Sequence, residues 1–236
     1  ATLTANDKVY DGATTATGTL TLNGLVGSET LGKTFAAAFN SKDVASANLV
    51  TASSVQLSDG SGRAANYVLG SGQTASARIT PLSVNVTGVS AVGRVYDATT
   101  RATLTGTPVM TTIAGAGDAP VVAGTALAVF GDANAAANKP VTVTGYSLSG
   151  TGASNYALVQ PSGLTATIAQ ATLNVIANAD AKLVTTLDGP NFNGVSYAGF
   201  VGADTAAVVS GTLVVARSNA TMQLAGTYTA VLQASG

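Results

Sequence analysis

The chain copies itself, and this constrains its fold more than any other feature. Lys8-Val9-Tyr10-Asp11 returns as Arg94-Val95-Tyr96-Asp97, 86 positions later, and each is followed by a threonine pair, Thr14-Thr15 and Thr99-Thr100. Asn66-Tyr67 returns as Asn155-Tyr156 at a distance of 89, as does Ile79 at Ile168. Phe39 and Phe130 lie 91 apart, as do Leu57 and Leu148. Ordered landmarks with so little drift define two tandem copies of about 85–90 residues. A third, divergent copy opens near Ala171, where Ala171-Thr172-Leu173 and Asn178-Ala179-Asp180 echo Ala1-Thr2-Leu3 and Ala5-Asn6-Asp7. Its centre, Gly199-Phe200-Val201-Gly202-Ala203-Asp204, matches Gly24-Leu25-Val26-Gly27-Ser28-Glu29 of the first copy. The second copy has the looser Ala114-Gly115-Ala116-Gly117-Asp118 there. Gly236 arrives before any Asn-Tyr pair, so the third copy is expected to be truncated.

The hydrophobic period is two, which is the period of a strand. Leu82, Val84 and Val86 alternate with Ser83, Asn85 and Thr87, and Leu164, Ala166 and Ile168 with Thr165 and Thr167. Leu49, Val55 and Leu57 share one parity, and Tyr228, Ala230 and Leu232 another run. Asp11-Gly12, Asp59-Gly60, Ser71-Gly72 and Asp188-Gly189-Pro190 punctuate the runs as turns. One stretch reads helical: Asp204 as N-cap to Thr205–Val209, with Gly211 as the stop, and Glu29 and Asp118 opening similar single turns. The expectation is an all-β chain of three small domains, 1–80, 81–169 and 170–236. Each is sandwich-like or β-grasp-like, with one short helical turn. Ile79-Thr80-Pro81-Leu82 leaves no room for a flexible linker, so the domains are expected end to end.

Composition narrows the chemistry. Charged residues are 9% of the chain, against about 25% in an average soluble domain. Mean hydropathy is +0.36, carried by Ala and Val rather than by aromatics, which are 5%. That is too apolar for a disordered chain. No stretch approaches about 18 consecutive apolar residues, so no membrane span is expected. The formal charge is −1 with no basic stripe, which argues against nucleic acid as a partner. No signal-peptide pattern is visible at Ala1, so the chain reads as a mature or excised piece.

With His and Cys both absent, the common zinc sites and Ser-His or Cys-His nucleophiles are excluded. Carboxylate chemistry remains. Asp7/Asp11, Asp97/Asp118 and Asp180/Asp188 are the available pairs, but they recur with the repeat and fall in turns, where Asp bonds its own backbone. The expectation is therefore no catalytic residue and no enzyme. Oxygen-rich loops around Asp7, Asp11 and Asp180 are the candidates for calcium, although they match no EF-hand or nonapeptide signature. Tyr10 and Tyr96 are read as core tyrosines with a bonded hydroxyl rather than sugar-stacking platforms, and Asn66-Tyr67 and Asn155-Tyr156 as turn and strand openers. Asn85-Val86-Thr87 and Asn219-Ala220-Thr221 match the N-glycosylation triplet, which arises readily in Thr-rich sequence.

The Lys/Arg-Val-Tyr-Asp box, the Gly-Ser-Glu or Gly-Asp turn, the Asn-Tyr pair and the closing Thr-Ala-x-Ile run resemble the YDG repeat of large filamentous-haemagglutinin-like bacterial adhesins. The first copy has the full Tyr10-Asp11-Gly12, and the second has Ala98 in place of glycine. The third copy resembles the MBG repeat through Gly199–Thr205 and Gly226-Thr227-Tyr228, but lacks a tyrosine after Lys182. The resemblance implies a secreted, cell-surface stalk or fibre segment without catalytic residues or cofactor. Its partners would be neighbouring repeats, other copies of the fibre or a host surface. The rival readings are a module that binds glycan or host protein through its loops, and a fragment of a carbohydrate-active enzyme.

Overall fold

The computed structural model describes residues 1–184, 186–190, 192–219 and 224–235, so Ala220 and Thr221 of the second glycosylation triplet lie outside the described residues. Regular structure in the described residues is β-strand, apart from three single turns of 3-10 helix at Ala64–Asn66, Ala153–Asn155 and Ala206–Val208. The chain is all-β, with one helical turn per copy. In the first two copies the turn does not follow Glu29 or Asp118 as expected, but precedes Tyr67 and Tyr156. In the third, Thr205 replaces Asp204 as the cap, its Oγ1 accepting the Ala207 N–H at 3.4 Å. The acids are left free for another task.

Two compact units form. One comprises residues 1–90, 105–127 and 143–162, and the other 91–104, 128–142 and 163–236. These divisions are not those of the sequence repeats, because the first unit joins all of copy one to three pieces of copy two, 81–90, 105–127 and 143–162.

In the first unit, Leu31–Phe39, Leu49–Asp59 and Thr74–Ser76 form an antiparallel sheet. Lys8–Val9 runs parallel to Ile79–Thr80, and Leu82–Asn85 parallel to Tyr156–Val159. Ala119–Ala123 pairs antiparallel with Ser147–Thr151. The core packs Leu3, Tyr10, Leu20, Phe39, Val50, Ile79, Val84 and Tyr156. Full burial of aliphatics such as Leu20, Val50 and Ile79 contributes about 1.5–3 kcal/mol each. The parity expected for Leu49–Leu57 does not hold throughout. Leu49 is exposed and Val50 buried, whereas Val55 and Leu57 point inward. Pairing slips between Thr34 and Ala36, and Ser54 lies opposite this slip at φ 50°, so a bulge switches the inward parity.

In the second unit a sheet runs in the order Arg94–Val95, Thr165–Ala169, Ala136–Thr144, Leu127–Phe130. Phe130, Val141, Ala166 and Ile168 are buried there as Phe39, Val50, Ala77 and Ile79 are in the first unit. Asn174–Ala177 pairs with Val195–Ala198, and Val214–Arg217 with Leu232–Ser235. The expected run from Tyr228 is regular strand only from Leu232 onward. Among the described residues no helix is long and apolar enough to cross a membrane.

Candidate functional site

The cation, the tyrosine and the aspartate of the Lys/Arg-Val-Tyr-Asp box make the same bonds in both copies. The cation binds its own aspartate: Lys8 Nζ lies 2.7 Å from Asp11, and Arg94 pairs with Asp97. Lys8 also donates to the Ala13 carbonyl at 2.7 Å, and Arg94 to the Thr99 carbonyl. Lys8 lies over Phe39 and Arg94 over Phe130, at 5.8 and 5.4 Å from the ring centres. The aspartate closes a turn, Asp11 accepting the Ala13 N–H at 3.0 Å and Asp97 the Thr99 N–H at 2.9 Å. The Lys8 bond holds the Asp11 carboxyl below its usual range, and the Thr99 hydroxyl does the same for Asp97. The tyrosine N–H bonds the copy's closing strand, Tyr10 to Thr80 at 2.8 Å and Tyr96 to Ala169 at 2.9 Å.

The tyrosine side chain leaves its own copy. Tyr10 donates to Asp118 at 2.5 Å, and Tyr96 to Asp204 at 2.9 Å, each across 108 positions of sequence. Both acceptors are the acid of the next copy's Gly-rich turn. In the first and third copies the acid's own N–H closes that turn, Glu29 to Val26 and Asp204 to Val201, and in the second the bond lies two residues earlier, from Ala116 to Ile113. The same acid also receives its own copy's Asn-Tyr tyrosine: Tyr67 donates to Glu29, and Tyr156 to Asp118 at 3.0 Å.

The Tyr10–Asp118 junction is the most elaborate polar cluster. Tyr10 is 2% exposed and meets Tyr156 edge to face, with ring centres 5.5 Å apart. Lys42 Nζ lies 2.9 Å from Asp43 and 3.3 Å from Asp118. Asn155, 1% exposed, donates to Asp43 at 2.9 Å and accepts the Val44 N–H at 2.9 Å. Burial alone would raise the Asp118 pKa, but bonds from Tyr10, Tyr156 and Lys42 outweigh it and hold the carboxyl below its usual range. Burial, then the bond to Asp118, raises the Tyr10 phenol. An ionised acid thus faces two neutral tyrosines and a lysine whose own pKa is raised, chiefly by its bond to Asp43. Every group in the cluster is engaged with another side chain or the backbone.

Small residues complete the contact. Gly12 has φ +78°, and a Cβ there would come within 2.9 Å of the Ala116 Cβ. In the following junction the roles are exchanged. Ala98 holds the left-handed position at φ 61°, and faces Gly202, where a Cβ would lie 2.8 Å from the Ala98 Cβ. Each junction has space for one methyl group. Gly12→Ala is therefore expected to destabilise the first unit by about 2–3 kcal/mol, combining a left-handed alanine with overpacking. Adding Ala116→Gly should recover the overpacking part. Denaturant titration of the two variants checks this, and a double variant no more stable than Gly12→Ala would refute the exchange.

The YDG domain model matches residues 1–77 and again 80–166. The chain belongs to the YDG domain family. Comparison with curated proteins and with solved structures returned no match. The Tyr-Asp-Gly of the YDG name is thus three roles: a donor to the next copy, a turn closer, and the small residue that lets the two meet.

Asp7, Asp11 and Asp188 are each held by a partner. Asp7 accepts the Arg78 N–H at 2.6 Å, tying the two ends of its YDG copy together, and Asp11 is held by Lys8. Asp180 is exposed. Asp188 is bound by Lys182 at 3.1 Å and Arg217 at 2.8 Å. Among the described residues no group of three acids could hold a metal ion. Tyr10 is buried but Tyr96 only half-buried, so their equivalence lies in the bond they make. Sequence reading missed Lys42 and Asp43 altogether, and assigned Asp118, Glu29 and Asp204 to turns. The missed signal is the spacing of 108 from each box tyrosine to an acid after glycine or alanine.

Proposed function

We propose that the chain is a non-catalytic structural segment of an exported bacterial surface adhesin, in which YDG copies act as a spacer or fibre stalk. The observation that supports this is the doubled tyrosine–carboxylate junction. The tyrosine and the small residue of the motif are used in joining one copy to the next, and the aspartate closes the turn that holds the small residue. In this reading 170–236 is an MBG-type module that accepts the last YDG tyrosine through Asp204, and the working environment is extracellular.

The test is a screen of the full chain against glycosidase, esterase and protease substrates and against a glycan array. The expected outcome is no turnover and no saturable binding. Turnover abolished by a single Asp→Asn change would overturn the structural reading. Binding lost on replacing an exposed aromatic would favour a recognition module.

A further inference from the structure

Sequence-equivalent residues of the two YDG copies differ in burial, and the difference has one cause. Asn155 is 1% exposed and Tyr156 5% exposed, whereas Asn66 is exposed and Tyr67 half-buried. The two copies share two local contacts. A 3-10 turn precedes each tyrosine, and each hydroxyl accepts a backbone N–H from the Gly-rich turn: Val26 at 3.0 Å in one, Ile113 at 3.3 Å in the other. What covers Asn155 and Tyr156 comes from the copy before and from the segment that follows its closing strand. Val44 donates its N–H to Asn155, Tyr10 packs on Tyr156, and Leu82–Asn85 runs parallel to Tyr156–Val159 in the register Leu82 to Tyr156.

The first copy has all the receiving parts. Glu29 stands where Asp118 and Asp204 stand, and among the described residues Tyr67 is the hydrogen-bond donor to its carboxylate. Gly27 stands where Ala116 and Gly202 stand, with nothing within 4 Å of the place a Cβ would occupy. Tyr67–Gly70 is in no strand, whereas Tyr156–Val159 is paired. We propose that Gly27, Glu29, Asn66 and the backbone of Tyr67–Gly70 form a docking face for a preceding copy of the YDG repeat. The box tyrosine of that copy donates to Glu29, and the segment joining it to the receiving copy, equivalent to Leu82–Asn85, pairs in parallel with Tyr67–Gly70. The occupant is inferred from two filled junctions: Tyr10 on Asp118 and Tyr96 on Asp204. Gly27, with no methyl of its own, accepts a box ending in either glycine or alanine. The docking face is independent of the stalk reading, since any array of these repeats would use it.

The test extends the full chain at Ala1 with a second copy of residues 1–86, which preserves the spacing between boxes. Val68→Thr in the added copy, at an exposed side chain, distinguishes the two copies by mass. Hydrogen exchange of the original 64–70 segment should slow by about tenfold or more on extension, as expected for amides entering a paired strand. Glu29→Ala in the original copy, and separately Tyr10→Phe in the added one, should return most of that protection. Slow exchange of the entire population of peptides holding Leu20 and Val50, which the two copies share, reports that the receiving copy remains folded. Unchanged exchange at 64–70 with Leu20 and Val50 still protected would overturn the proposal. So would slowed exchange indifferent to both substitutions, since the tyrosine–glutamate contact would then not be the recognition element. If the fused chain misfolds, the unextended chain supplies the test at its filled junction, where Tyr10→Phe should speed exchange of the paired 156–159 segment severalfold. Unchanged exchange there with Leu20 and Val50 still protected would overturn the tyrosine–acid contact as the recognition element.

Discussion

Replacing Tyr10 with alanine is expected to cost the first unit about 3–5 kcal/mol, the range for deleting a large buried aromatic. The ring is in the core, against Tyr156 and beside Phe39 and Ile79 in the same cluster, and its hydroxyl is bonded to a buried carboxylate. Tyr10→Phe separates the two contributions. It keeps the ring and removes a hydrogen bond to a charged acceptor, worth about 1.5–3 kcal/mol. Hydrogen exchange at Leu20 and Val50 reads the unit by itself, which matters because a chain of two compact units has no single unfolding free energy. Tyr96→Ala should have a smaller effect, since that ring is only half-buried. A loss below about 0.5 kcal/mol for Tyr10→Ala, the usual surface range, would mean that the ring does not fill the core.

Asp118→Ala should cost about 3 kcal/mol, near the lower end for breaking a buried charged pair by removing one partner. The lower end applies because Asp43 still serves Lys42 and Asn155, and the Ile113 N–H still reaches Tyr156. Tyr10 is left with Lys42 at 3.4 Å. The same carboxylate gives the unit an acid limit. Its folded pKa lies below the unfolded value of about 3.9, so its contribution is complete above that value and disappears as pH falls through the lowered folded one. Tyr10 works in the opposite sense. Its folded pKa is raised, so its contribution is complete below about 10 and disappears as pH rises through the folded value. Asp118→Asn should flatten the acid limb of the first unit's stability and leave neutral-pH stability reduced. An acid limb unchanged by Asp118→Asn would show that other carboxylates set it.

The repeats, the strand character and the box were all legible, because each leaves a local trace: a fixed offset, a period of two, a charged pair three residues apart. Ala98 was legible as a departure but not as a compensated one, since its counterpart is Gly202, in another copy. The turn acids misled for a physical reason. Aspartate before a short apolar run is a good N-cap by local rules, and at Asp204 the distant Tyr96 hydroxyl holds the carboxylate while Thr205 caps instead. Lys42 and Asp43 had no trace to find. Their counterparts in the second copy are Ala133 and Asn134, so repetition, the strongest signal in this sequence, was silent there.

The exchange of Gly12–Ala116 for Ala98–Gly202 has a genetic consequence. Tandem arrays lengthen and shorten when homologous segments recombine out of step, and a copy carrying both halves of a contact can be gained or lost without redesign. Here the freedom is partial. A box ending in alanine brought before a turn of the Ala116 kind would place two methyl groups where there is room for one. Recombinants with that order would be disfavoured, while a glycine on either side permits the join. The smallest side chains in the contact thus act as a grammar, restricting which copy can follow which.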